Sequence, residues 1–320
     1  EIYLGVKFRV KNDRGGYDGG PMYYLQQAFS LKAIPFISAI LLCIYGVEVY
    51  QFVIITDTLT NTFDLNKIAV IGSLIALVIY TALGGVNRLA KVCAVLMPGF
   101  MILYIVMCLY VVGVNFDNLG SVLTVVFESA FAGHAALGAF AGSTMILAAQ
   151  NGIARAVYSG DIGIGYDSTI QCETKTVHPE RQARLAIFAL LSDIVVCTMS
   201  MIVVLITGLW HKTPVLLPSE YVATALSLHF PYMTYFMAVF FFIAGFTTII
   251  AFFTVGMKCA RFISAQWGEK IYLLYGIFAF SFFSFFDQSK VILIMSLSGG
   301  LLMLLNLAGI AKLRKHIEFK

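Results

Sequence analysis

The sequence predicts an all-α integral membrane protein, and three observations carry that prediction. Of its 320 residues, 60% are hydrophobic and only 12% are charged, where a soluble domain carries about 25% charged residues. The mean hydropathy is +0.88. The apolar residues gather into eight runs, most of them close to the roughly 20 residues that a helix needs to cross a bilayer. The runs are 33–58, 67–83, 92–114, 122–149, 185–209, 233–257, 271–286 and 291–311.

Residues 1–32 precede the first run. Their opening, EIYLGVKFRVKNDRGG, is no signal peptide; it matches the cytoplasmic end of a helix leaving a membrane, so earlier spans are expected upstream. Asn12 to Gly16 and Gly19-Gly20-Pro21 are turn-forming clusters. MYYLQQAFSL follows as a short amphipathic stretch whose Tyr23 and Tyr24 suit the headgroup layer. Residues 33–320 then form one polytopic domain. Pro35, Pro98 and Pro231 are expected near span starts, where a missing N–H does least harm.

The fourth run is expected to be broken. Its middle is crowded with small residues, among them Gly133, Gly138, Gly142 and Ser143. Glycine weakens a helix by about 1 kcal/mol against alanine, so the helix is expected to unwind near 138–142. Unwound backbone at membrane depth persists only around protein or a water-filled cavity, where its amides and carbonyls can hold a small charged solute or an ion. The same spacing also suits two tightly packed spans.

Lysine and arginine counts orient the chain. With the start in the cytoplasm and each run crossing once, only Lys67, Lys212 and Lys290 lie outside, and the other 18 of 21 lie inside. Both ends are then cytoplasmic. The net charge of +4 says nothing of nucleic acid, because the basic residues sit in short loops. The six cysteines show neither a CxxC pair nor zinc spacing, so no disulfide framework or metal finger is expected. No Ser/His/Asp set or HExxH appears, and enzymatic chemistry has no support.

Ionisable groups inside spans are costly and usually face a cavity or a partner. Glu48 lies near the middle of the first run, with Gln51 three residues on and on the same helix face. The pair offers a carboxylate and an amide to a polar ligand, or a helix–helix hydrogen bond. Glu128 and His134 flank the start of the broken run, where His134 also suits simple packing. Asp193 lies in the fifth run and has Arg184 as a possible ion partner. Thr247 and Thr248 follow Gly245 in the sixth run. Their hydroxyls suit a small hard cation, which takes oxygen ligands, or a bond back to their own helix. Gly160, Gly163 and Gly165 resemble a phosphate loop only weakly, with no following GK[ST].

As a set, several motifs resemble the alanine-or-glycine:cation symporter family, the sodium:alanine symporters. They are GGPMYY at 19–24, the opening EIYLGVKFR, Gln51, ALGGVNRLAKVCAVLMP at 82–98, ALGAFAGSTMILAAQNGIARAVYS at 136–159, SDIVVCT at 192–198 and GFTTIIAFFTVGMKCARF at 245–262. The likeness runs in order over about 1–265 and fades afterwards, where Asn306-Leu307 answers a PNL motif without its proline. It implies an inverted-repeat, LeuT-like fold with the eight runs as core helices 3–10 and the first two upstream.

The resemblance also implies a function: a symporter that couples sodium influx to uptake of a small neutral amino acid, alanine or glycine, by alternating access in the cell membrane. Sodium would be co-substrate, with no cofactor and no obligate protein partner. Gln51, Gly138, Gly142 and Ser143 would touch the amino acid, with Glu48 beside them and Met145 shaping the side-chain pocket. Leucine at Gly142 would clash with substrate. Thr247 and Thr248 would hold sodium. Ser159, Asp161 and Asp193 would serve the inner gate and coupling. Val53 replaces the family's asparagine after Gln51, and the family's SNEAGLGS becomes SGDIGIGY at 159–166. With Glu48, that departure raises two other readings, a proton-coupled transporter or a non-transporting amino-acid sensor.

Overall fold

The computed structural model describes residues 1–13, 15–131, 140–212 and 220–318. It is mostly helical. α1 (Ile2–Lys7) leads into a hairpin of β1 (Val10–Lys11) and β2 (Tyr17–Asp18), paired antiparallel with Val10 opposite Asp18. The expected turn at 12–16 closes it: Asn12 Oδ1 accepts the Gly16 amide at 2.8 Å, and Gly15 takes φ 79°. α2 (Pro21–Ala28), α3 (Ala33–Tyr45), α4 (Val49–Phe63), α5 (Lys67–Ala82) and α6 (Gly85–Val114) follow. Next come α7 (Phe116–Phe131), α8 (Phe140–Gly160), α9 (Tyr166–Gln171), α10 (Pro179–Ile206), α11 (Leu209–Lys212) and α12 (Tyr221–Ser227). α13 (Met233–Ile263), α14 (Gly268–Phe283) and α15 (Gln288–Leu313) complete the chain, with a 3₁₀ turn at Arg314–His316.

Among the described residues, five helical segments are long and apolar enough to cross a membrane: Ala33–Phe63, Cys93–Val114, Pro179–Ile206, Met233–Ile263 and Lys290–His316. α5 is a shorter apolar helix of 16 residues. The protein is a multi-pass, all-α membrane protein.

Local chemistry explains several ends. Asn66 caps α5 by accepting the amides of Ile68 at 2.9 Å and Ala69 at 3.2 Å. α4 closes on Asp64 in the left-handed conformation, φ 51°. α6 differs from expectation: it begins at Gly85 and runs through Pro98, which sits inside the helix and not at its start. The ring there removes one main-chain hydrogen bond.

The first run also differs. It is not one continuous helix but α3 and α4, interrupted at Gly46-Val47-Glu48. Glu48 is the N-cap of α4 at φ 51°, ψ 49°. Gly46 lets the break pack closely against its neighbours. A Cβ on it would stand 2.8 Å from Leu42 O, 2.9 Å from Phe252 O and 3.0 Å from Tyr272 Oη. Backbone therefore meets backbone without a side chain between. Gly46→Ala is expected to cost about 1–3 kcal/mol through overpacking, read as a lower unfolding temperature in detergent.

The chain folds as two compact units. The first comprises Glu1–Leu96, Gly160–Ala189 and Phe241–Lys320. In it α3 packs on α2 and α15, and α4 packs on α5, α14 and α15. Its core holds Leu4, Tyr24, Leu25, Tyr45, Phe52, Phe253 and Phe280, all fully enclosed. Phe52 and Phe280 stack with centroids 4.3 Å apart. The second unit comprises Met97–Ser159 and Leu190–Phe240. Tyr104 organises it, stacking on Phe240 at 5.0 Å and sharing a hydrogen bond with Ser200.

Candidate solute site at a broken helix

The break between α3 and α4 gathers the expected polar groups of the first unit. Glu48 is buried at the break, 1% exposed. Because it caps α4 in a left-handed turn, it does not share a regular helix face with Gln51, as an unbroken span would require. Gln51 lies in the first turn of α4, whose N-cap residue Glu48 makes no side-chain capping bond. It faces α13: a Cβ on Gly245 would be 2.7 Å from Ile55 Cδ1 and 3.9 Å from Gln51 Oε1. The missing side chain at Gly245 is what lets α4 approach, and it brings the Gln51 amide beside the helix that carries Thr247 and Thr248.

Both threonine hydroxyls donate to the Ala244 carbonyl, at 2.8 and 3.0 Å. Of the two expected arrangements, the structure therefore shows the bond back to the same helix. The bond spends the proton of the Thr248 hydroxyl and not the lone pairs of its oxygen. No group of three or more His, Cys, Asp or Glu suited to a metal occurs among the described residues.

The loop from α8 to α9 forms a second polar layer. Asp161 (φ 47°), Gly163 (φ 77°) and Gly165 (φ 103°) bend it tightly. Asn306 of α15 pins the bend, donating to Gly163 O at 2.9 Å. Tyr45, the last residue of α3, donates to Asp161 Oδ1 at 3.2 Å. Phe252 of α13 holds both sides of the layer, with Tyr45 at 5.4 Å and Tyr166 at 4.1 Å between ring centroids. Asp161 lies outside the spans. Desolvation pushes its carboxyl well above the usual carboxylate range, and the charges of Asp167 and Glu48 add to the rise against the Tyr45 hydrogen bond.

A raised acid binds its proton more tightly in the native state than in the unfolded chain. The stability it contributes is complete below the ordinary carboxylate pKa and is lost as pH rises through the raised value. Asp161→Asn is accordingly expected to hold its unfolding temperature as pH rises above the ordinary carboxylate range, where the parent loses it. Melting curves across pH check this; parallel falls in both proteins would refute it.

The remaining expected residues lie in the second unit or outside the described residues. Ser159, near the end of α8, donates to Asp193 on α10, whose two carboxylate oxygens both lie at 2.8 Å. Cys197 stands one turn further, Sγ 3.6 Å from Asp193 Oδ1. Gly142, Ser143 and Met145 fall in the first turns of α8, so the chain is helical at Gly142. Gly138 and His134 lie outside the described residues. The expected unwinding near 138–142 thus falls partly there, while the break seen in the described residues is at Gly46–Glu48. Glu128 is exposed on α7.

Sequence reasoning missed Tyr45, Asn306 and Lys258 as site-forming residues. Lys258, on α13, is only 4% exposed. It pairs with Glu173 at 2.6 Å and Asp18 at 3.6 Å and donates to Tyr17 O at 2.9 Å. A lysine at the end of an apolar run looks like an ordinary inner charge until the fold brings its partners to it.

The chain is similar to known transporters. The chain is 28% identical to an uncharacterized transporter of Haemophilus influenzae, over 99% of this chain and 71% of that protein. It is 25% identical to the sodium/alanine symporter AgcS of Methanococcus maripaludis, over 85% of this chain and 61% of that protein. It is 28% identical to a putative sodium/proton-dependent alanine carrier, YrbD of Bacillus subtilis, over 66% of this chain and 43% of that protein. The chain thus spans less than two thirds of the length of several relatives. The family model for sodium:alanine symporters, transporters rather than enzymes, matches residues 1–319. On that match over nearly its whole length, the chain belongs to the sodium:alanine symporter family.

Proposed function

We propose that this chain forms the larger part of a cell-membrane symporter that uses sodium influx to take up a small neutral amino acid, alanine or glycine, by alternating access. The observation that supports it most is the Gln51 amide held against α13 beside Gly245, next to the Gly46–Glu48 break and two to three residues from Thr247 and Thr248. Broken helices near the midplane are where such transporters seat substrate and ion together. The N-terminal end of α4 carries partial positive charge and suits the substrate carboxylate, with Gln51 donating beside it. The end of α3 carries partial negative charge and suits the ammonium or a sodium ion. Thr247 and Thr248 add hydroxyl oxygens for sodium. No cofactor takes part. Ser159, Asp161 and Asp193 act as gate and coupling residues, and both ends of the chain face the cytoplasm.

The test is uptake of labelled alanine into liposomes holding the protein, with and without an inward sodium gradient. Accumulation that needs the gradient supports sodium coupling. Accumulation without sodium that a protonophore collapses supports the second reading, proton coupling through Asp161 and Tyr45, which the raised carboxyl of Asp161 favours. Binding without accumulation under any gradient would leave a sensor.

A further inference from the structure

The C-terminal end of α15 carries a block of positive charge far along the chain from the helix break. Lys312 lies in the last turn of the helix, and Arg314, Lys315 and His316 form the 3₁₀ turn that follows. That turn is anchored. Leu313 is buried in a small core with Tyr3 and Leu4 of α1 and Tyr24 and Leu25 of α2, and Ile310 and Ile317 pack against it. Lys7 of α1 donates to the His316 carbonyl at 2.7 Å. The His316 ring meets Phe8 edge-on, with centroids 6.0 Å apart. Lys7 and His316 thus hold the turn in place.

Lys312, Arg314 and Lys315 have no such task. All three are exposed, and among the described residues no carboxylate pairs with any of them. The Lys312 ammonium rests over the Phe29 ring, 4.0 Å from its centroid. That contact steers the side chain and leaves its charge whole. Lys32, three residues past Phe29, is a further exposed cation. Against them stands Glu318, the acid nearest in sequence, also exposed.

Position along the helix identifies what these charges meet. Leu293, Leu297, Leu301, Leu304 and Leu307 are exposed and spaced three or four apart, as one face of a helix requires. Leu313 lies 20 positions after Leu293, about 30 Å of helix, which is the thickness of a bilayer's hydrocarbon core. The basic turn then sits at headgroup depth, and Arg314 follows Leu307 by about two turns. An exposed leucine face ending in three uncompensated cations fits an amphiphile with acyl chains and a negative head. Arginine can take two phosphate oxygens together, and lysine adds point charges.

We propose that the end of α15 and the turn after it bind an anionic phospholipid, with the head phosphate on Arg314, Lys315 and Lys312 and the acyl chains along Leu301, Leu304 and Leu307. The site is separate from the amino-acid and ion sites of the proposed function and does not rest on them.

The test uses the full chain in detergent, titrated with dioleoylphosphatidylglycerol, with bound lipid read by native mass spectrometry. Saturable binding is expected at concentrations where dioleoylphosphatidylcholine, equal in chains but neutral in the head, shows none. Lys312→Gln, Arg314→Gln and Lys315→Gln together should weaken it about a hundredfold, the usual scale for three basic contacts at a membrane surface. If that variant does not fold, Arg314→Gln with Lys315→Gln should weaken it about thirtyfold on the same scale. Lys91→Gln, Lys175→Gln and Lys270→Gln together remove the same charge from exposed positions elsewhere and should leave binding unchanged. An equal loss in that second triple would make the effect one of overall charge and overturn the site. Equal binding of phosphatidylcholine would overturn it too. So would displacement of the lipid by inorganic phosphate beyond that by sodium chloride at equal ionic strength, which would mark a site for a free anion.

Discussion

Lys258→Met is expected to destabilise the protein by about 3–5 kcal/mol, the usual cost of removing one partner from a buried ion pair. The substitution keeps the length of the stem and removes only the charge. What remains are Glu173 and Asp18, two carboxylates facing a site that is 3% exposed on the lysine side chain. The hairpin loses its anchor as well, since the Tyr17 carbonyl takes its bond from the same ammonium. Cys172, fully buried against this corner, has its Sγ 3.7 Å from Tyr17 O. Its rate of alkylation measures the loosening directly. Adding Glu173→Gln to Lys258→Met should recover part of the loss, because the uncompensated charge is gone; strictly additive effects would show that the pair does not act as a pair. The comparison lies within the same molecule. Lys67 and Asp57 also pair closely, at 2.9 Å, but with side chains 34% and 27% exposed. Breaking that pair should cost no more than about 1 kcal/mol.

The second large effect is on transport. Gln51→Ala is expected to lower alanine uptake at limiting substrate by about tenfold to a hundredfold. A hydrogen bond to a charged group contributes about 1.5–3 kcal/mol, and each 1.4 kcal/mol is a factor of ten. The loss should appear in the substrate concentration needed for half-maximal uptake, with the sodium requirement little changed. A loss in the sodium requirement alone would move Gln51 from the substrate to the ion, and unchanged uptake would remove it from both. Folding is a small concern, because alanine still fits against Gly245 and keeps the helix.

Much of the helical layout is legible in residue order. Runs predicted to begin at 33, 67 and 233 begin as α3, α5 and α13 at those positions. Long apolar stretches bounded by charges leave few alternatives in a bilayer, where every main-chain polar group must be satisfied within the segment. The breaks are harder to place. Small residues near 138–142 draw attention to the fourth run, yet the described break is in the first, at a single glycine followed by valine and glutamate. The signal there is a charged residue deep in an apolar run two positions after Gly46. It is readable as a cap only once Phe252 and Tyr272 are known to press on that glycine. Pro98 misleads for a related reason: an apolar run starting at 92 hides a helix that has already begun at Gly85.

The candidate site divides the same way. Gln51, Thr247 and Thr248 are identifiable from residue type and spacing, and the fold sets Gln51 beside the helix of the two threonines. Tyr45 and Asp161 are 116 positions apart, and Lys258 and Tyr17 are 241 apart. Pairings at that range have no local pattern in the chain; they exist because α13 and α15 bring distant loops to one place.

α13 runs without interruption from Thr248 to Lys258, ten residues or about 15 Å. An unbroken rod cannot pivot at one end and stay still at the other. A tilt of a few degrees accompanying ion capture at the threonines would shift the lysine end by about an ångström, a distance large enough to part a close ion pair from its mates. The same stiffness works in reverse: whatever fastens the hairpin to Lys258 also restrains the far end of the rod, where the proposed ion site lies.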